Sequence, residues 1–106
     1  MTYRVELSKR AEIDVRKIYA YIRQHGPADP RTWKTGLEIK LSSLEQFPEA
    51  CGFAPENEFT DQEIRQTLYG PFRIIFTIRE PFVFVISIRH AARLNLRQDE
   101  IEDADL

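Results

Sequence analysis

Apolar and polar positions alternate at the start of the chain. Tyr3, Val5 and Leu7 are apolar, and Arg4 and Glu6 between them are charged, which is the period of a half-buried strand. Ser8 is a good helix N-cap, and the spacing then changes. Ala11, Val15, Ile18 and Ile22 fall on one face of a helix expected over Lys9–His25, which Gly26-Pro27 stops. Asp29-Pro30 reads as an N-cap followed by proline at the first helical position. A second helix is expected from there to about Gln46, with Trp33, Leu37, Leu41 and Leu44 as its apolar stripe and Pro48 beyond its end. The short break between the two helices implies an antiparallel hairpin.

Residues 48–62 carry Pro48, Gly52, Pro55 and several acids, and read as a long loop of the kind that is usually functional or mobile. From Ile64 to His90 the period returns to two. Three strands of a meander are expected, with turns at Tyr69-Gly70-Pro71 and Arg79-Glu80-Pro81. A three-residue loop over Arg79–Pro81 sets Ile78 against Phe82, Phe76 against Phe84, Ile74 against Ile86 and Phe72 against Ile88. All the large apolar side chains then share one face. The expected fold is α+β: β-α-α-β-β-β, an antiparallel sheet with an N-terminal helix hairpin packed on one face. One domain spans 1–97, and 98–106 form an acidic C-terminal tail.

Composition changes this picture little. The 106 residues suit one domain, and 42% hydrophobic with 30% charged residues is ordinary for a soluble globular chain. No apolar run is long enough to span a bilayer, the first residues are too polar for a secretory signal, and a lone cysteine, Cys51, fits a reducing cytoplasm. The charge is uneven. The tail holds Asp99, Glu100, Glu102, Asp103 and Asp105, so the rest of the chain has fifteen bases against twelve acids. That excess is smaller than a domain devoted to nucleic-acid phosphates usually carries.

The same parity turns Arg65, Thr67, Arg73, Thr77, Arg79, Ser87 and Arg89 to the face away from the helices. Arg65, Arg73 and Arg89 lie on three strands, and their convergence would make a site for phosphate or carboxylate groups. The plainer alternative is that they serve solubility or pair with nearby acids. Two histidines and one cysteine at unrelated spacings make no metal site. No phosphate-binding glycine loop, dinucleotide fingerprint or nucleophile elbow is present, so no cofactor is implied. His25 suits a helix C-terminus. His90 ends the last strand in phase with Ile86 and Ile88, as a hydrogen-bonded histidine at the edge of the core or, less simply, a general base. The segment after Arg93 reads as a solvated tail; the alternative is that it folds back over the arginine face and screens it.

Four pieces of sequence, in order, carry a resemblance. They are SKRAEIDVRKIYAYI at 8–22; Leu44-Glu45-Gln46-Phe47-Pro48 followed by Gly52; Arg65 and then Gly70-Pro71-Phe72-Arg73-Ile74-Ile75-Phe76; and Ile86-Ser87-Ile88-Arg89-His90-Ala91-Ala92-Arg93. Together they resemble the RelE/ParE toxin superfamily of type II toxin–antitoxin systems over nearly the whole chain, closer to ParE-like members. The resemblance implies a cytoplasmic toxin with a cognate antitoxin as partner, and DNA contact only through the antitoxin complex. ParE-like members poison DNA gyrase. RelE-like members cut messenger RNA on the ribosome with basic residues and a late tyrosine, histidine or glutamate. Arg73 matches the shared strand arginine. Ala91 and Ala92 follow His90, no tyrosine follows Tyr69, and there are four lysines, all of which lowers the nuclease reading.

The leading expectation is therefore a ParE-like toxin that binds gyrase and its antitoxin through Arg65, Arg73, Arg89 and Arg93. The first alternative is an endoribonuclease with Arg73 and His90 as catalytic candidates. The second is a toxin fold kept as a binding module or co-repressor.

Overall fold

The computed structural model describes residues 2–26 and 28–104. Pro27 of the expected helix break and Asp105 of the tail lie outside the described residues. The elements are β1 (Arg4–Leu7), α1 (Lys9–His25), α2 (Pro30–Ser43), β2 (Arg65–Tyr69), β3 (Phe72–Arg79), β4 (Phe82–His90) and α3 (Gln98–Glu102). The α+β class, the helix hairpin and the three-strand meander are as expected. The sheet order is β1-β4-β3-β2. It is antiparallel through β2, β3 and β4, but β1 joins β4 in parallel, so the sheet is mixed. The helix pair makes that possible by carrying the chain back to the same end of the sheet.

Ser8 does two jobs at the first junction. Its Oγ accepts from Ala11 N at 3.0 Å, capping α1, and donates to Ile86 O at 2.7 Å, tying the helix start to β4. Asp29 caps α2 by accepting from Arg31 N at 2.9 Å. That helix ends at Ser43 rather than near Gln46, because Leu44 and Glu45 donate to Leu41 O and Ser42 O in a tighter turn. Inside α2, a side chain on Gly36 would put its Cβ 2.1 Å from Tyr69 Oη, which donates to Trp33 O at 2.8 Å. Close approach of helix to sheet explains a glycine that otherwise costs about 1 kcal/mol.

The register of the meander differs from the expected one. Arg79 pairs with Phe82 and Tyr69 with Phe72, so both turns are two residues long. Gly70 takes a φ of 55°, which a hairpin turn needs at its first central position. Ile78 faces Val83 and Phe76 faces Val85. Ile75 then faces Ser87, leaving Ile86 as the extra residue of a β-bulge.

The physical reason is that both faces of the central strands are buried. One core lies under the helices and includes Leu37, Leu41, Ile74, Phe76, Val83, Val85 and Ile88. The second lies on the opposite face, where Ile75, Phe84 and Ile86 pack against Ala54, Ile64, Leu96 and Ile101. Each fully buried side chain of this size contributes about 1.5–3 kcal/mol. A strand covered on both sides gains nothing from strict alternation, so parity could not set its register.

The covers of the second face come from the two segments with the weakest sequence signals. Between Pro48 and Thr60 the chain makes two short 3-10 turns. It is laced to β2 by Ala54 N donating to Ile64 O and Gln66 N to Gly52 O. The C-terminal segment does not run free over its described length. Leu96 and Ile101 are both 1% exposed. The folded-back alternative for the tail is the observed one.

Candidate functional site

The face expected to present an open arginine cluster is covered. Arg73 and Arg89 are cross-strand neighbours on it, but they are 5% and 4% exposed. Arg73 donates from Nη1 to Glu56 Oε1 at 3.0 Å and from Nη2 to Glu56 Oε2 at 2.8 Å. Gln66 Oε1 takes a further bond from Nη1 at 2.8 Å. Glu56 also accepts from Leu96 N at 2.9 Å, so this buried acid joins loop, sheet and C-terminal segment. Burial pushes the Glu56 carboxyl up, but Arg73 and the Leu96 N–H outweigh it and hold it below the usual carboxylate range.

Arg65 does not join them. It pairs with Phe76, on the helix side of the sheet, because the two-residue turn at Gly70-Pro71 reverses its expected side. Its Nη1 donates to Cys51 O at 2.6 Å, and its guanidinium lies 4.3 Å from the centre of the Phe53 ring. It holds the loop.

Arg89, His90 and Arg93 do come together, around α1. Arg89 donates from Nη1 to Leu94 O at 2.9 Å and from Nε to Ser87 Oγ at 3.3 Å, with Glu100 at 3.8 Å. Burial and then the neighbouring Arg93 charge hold it below the usual arginine range, while Glu100 and Asp14 pull the other way. Asp14 of α1 accepts from Ser87 Oγ at 2.6 Å and from Ile88 N at 3.0 Å. It therefore satisfies donors that the bulge at Ile86 takes out of the ladder. His90 is exposed. Its Nδ1 accepts from Ala92 N at 3.0 Å, and its ring packs edge-on to Phe72 with centroids 5.7 Å apart.

These residues line a cleft of about 380 Å³ between α1 and the β3–β4 pair. Ile18, Tyr21, Phe72 and Ile88 form its apolar part, and Lys17, Arg89, His90 and Arg93 its basic part. A second hollow of about 440 Å³ shares Asp14, Lys17, Arg89 and Arg93 and runs on past Lys9 and Arg10. Arg10 is paired to Glu100 at 3.1 Å, whereas Lys17 and Arg93 have no acid partner among the described residues. An apolar floor beside unpaired cations can take an apolar side chain and a carboxylate or phosphate together. Among the described residues no group of three or more histidines, cysteines or acids could hold a metal. No described helix is long and apolar enough to cross a membrane.

Sequence reasoning missed Asp14, Lys17 and Tyr21. A signal existed: Asp14 and Tyr21 stand three residues after Ala11 and Ile18, at the boundary of the buried stripe, where a carboxylate and an exposed tyrosine are out of keeping with a packed helix face.

The fold and the cleft belong to a known class. The family model described as the ParE toxin of the type II toxin–antitoxin system parDE matches residues 5–95. The chain belongs to the ParE toxin family, within the RelE/ParE superfamily, and so is a toxin of the type II toxin–antitoxin class. Two solved structures share the fold. One, the chromosomal ParDE toxin–antitoxin system from P. aeruginosa, is 16% identical with a TM-score of 0.67, covering 84% of this chain and 96% of that one. The other, the toxin–antitoxin complex RelBE2 from Mycobacterium tuberculosis, is 18% identical with a TM-score of 0.60, covering 85% and 99%. No curated protein matches the sequence.

Proposed function

We propose that this protein poisons a protein target, DNA gyrase, in the cytoplasm and is neutralised by a cognate antitoxin that engages the α1 cleft. The observation that carries this reading is the burial of Arg73 in its ion pair with Glu56. A nuclease using the strand arginines needs their guanidiniums at the scissile phosphate, and here they are already matched from within the chain. The cations left for a partner are Lys17 and Arg93, beside an apolar floor, which suits an acidic and apolar protein segment. Arg65, Arg73 and Arg89 act in this reading by holding the covers of the sheet, and Arg93 meets the partner directly. DNA is met only through the antitoxin complex.

Inducing the protein alone in a sensitive bacterium and pulse-labelling thymidine and methionine tests it. DNA synthesis falls first if gyrase is the target. An early fall in protein synthesis overturns the gyrase reading. One observation favours that second outcome: His90 has Nε2 free of any partner among the described residues, in the same cleft as Lys17, Arg93 and Tyr21. In an endoribonuclease His90 would exchange the proton there, and His90→Ala would abolish message cleavage.

A further inference from the structure

The sheet has one edge that its own chain leaves open. Arg4 N donates to Pro81 O and Ser8 N to Val85 O, both at 2.9 Å. The even-numbered residues of β1 therefore face β4. The N–H and C=O of a strand residue point the same way, so those of Val5 and Leu7 point out from the sheet. Tyr3, the first of the odd set, is closed off, because its N–H donates to Glu45 O at 2.8 Å. The edge at β2 is different, since Gly52–Ala54 is laced along its first half. Beside the open part of β1 is a notch of about 290 Å³, floored by Val5, Leu7 and Leu41 and rimmed by Glu38 and Glu45. Neither glutamate pairs with a base among the described residues.

We infer that the free edge of β1 is a strand-docking site, where an extended antitoxin segment carrying lysine or arginine among apolar residues adds beside β1 as a fifth strand. The inference rests on the antitoxin partnership proposed above and gives it a second, separate contact. Unpaired edge groups at Val5 and Leu7 supply the hydrogen bonds. The half-buried Val5 and Leu7 side chains take apolar residues, and Glu38 and Glu45 select the basic one. The sign of that rim argues for the antitoxin over a second copy of this chain. A symmetric β1–β1 seam would bring two sets of these glutamates together. The notch is acidic and the α1 cleft basic, so an antitoxin that spans both carries its charges in two opposite blocks.

Amide hydrogen exchange on the full-length toxin, alone and in complex with the antitoxin encoded beside it, tests this. The Val5 and Leu7 amides should exchange at least roughly tenfold more slowly in the complex. The exposed double variant Glu38→Lys, Glu45→Lys should fold normally and weaken the complex by roughly tenfold. A stable complex in which both amides exchange as in the free toxin overturns the strand docking and leaves the partnership standing. Slow exchange of the free toxin that grows with its own concentration also overturns it, in favour of a second copy. Absence of any complex removes the partnership and the inference with it.

Discussion

Arg73 and Glu56 form a two-bond ion pair across the second core, with side chains 6% and 0% exposed. The pair is buried because the 3-10 turn Pro55–Phe59 lies across β3 rather than in solvent. Removing one member leaves the other charge buried without a match. Glu56→Ala should therefore cost about 3–5 kcal/mol of folding free energy, read from urea unfolding at unchanged slope. A loss under about 1 kcal/mol would mean that water reaches Arg73 freely.

The same carboxylate predicts how stability follows pH. Glu56 is held below its ordinary value of 4.5, and Glu49 likewise by the hydrogen bond it receives from Tyr3. A lowered carboxyl stabilises the fold above its unfolded value, and that stabilisation is lost as pH falls through the folded one. Tyr3 behaves in the opposite sense. Its hydroxyl is raised from 10.0 to about 12, first by the bond to Glu49 and then by burial. Its contribution is complete below pH 10.0 and disappears as pH rises toward about 12. Thermal melts across pH should show a plateau with a fall below about 4.5 and another above about 10. Tyr3→Phe should flatten the alkaline fall, and Glu56→Gln the acid one.

Ile101 is the anchor of α3, a helix too short to persist without packing. Ile101→Ala should cost about 2–5 kcal/mol in thermal or chemical unfolding. Truncation after Arg97 removes Ile101 and Glu100 together. It should uncover Ile75, Phe84 and Ile86 and raise the binding of a hydrophobic dye. A truncated protein as stable as the full chain would show that α3 does not seal the core.

Asp14 and Ser87 make the link between α1 and the bulge. Asp14→Ala strands the Ser87 hydroxyl and the Ile88 N–H, at a cost of about 1–3 kcal/mol. Ile88 amide exchange should rise more than that of Val85, one side of the bulge only.

In the cleft, Lys17→Glu and Arg93→Glu reverse exposed charges and should leave the melting temperature alone. Under the proposed function each should weaken antitoxin binding roughly tenfold, most clearly at low salt. Calorimetry with the purified antitoxin measures it. Equal affinity for wild type and both variants would move the acidic segment elsewhere.

Much of this fold is legible along the chain, and the failures have one origin. The helices are bounded by Ser8, Asp29-Pro30 and a single apolar stripe each, which are local signals that tertiary contacts did not overrule. The strands of the meander are evident, but their facing is not. Ile75, Phe84 and Ile86 look like misplaced core residues until Leu96 and Ile101 are known to cover them. Those two lie in stretches that are otherwise polar, where isolated apolar residues carry no period to read. The arginines followed the same fate. Arg73 and Arg89 do share a face, as parity implies, yet whether a face is open depends on what folds over it. Of the cleft, His90, Arg89 and Arg93 were visible as a run on one strand end, and the α1 half of the site was not.

The parallel pairing of β1 with β4 also sets an order in time. The first strand to be synthesised has its only sheet neighbour in the last, with almost the whole chain between Val5 and Val83. At about 5–20 residues per second, roughly five to twenty seconds of synthesis pass before the sheet can close. The α1–α2 hairpin can form early from local contacts, but the cleft needs β4 for its floor. A nascent chain is thus harmless by construction until its synthesis is nearly complete, and the finished molecule must then close a contact of high sequence separation, which is slow. An antitoxin already present would meet the toxin while that closure is under way.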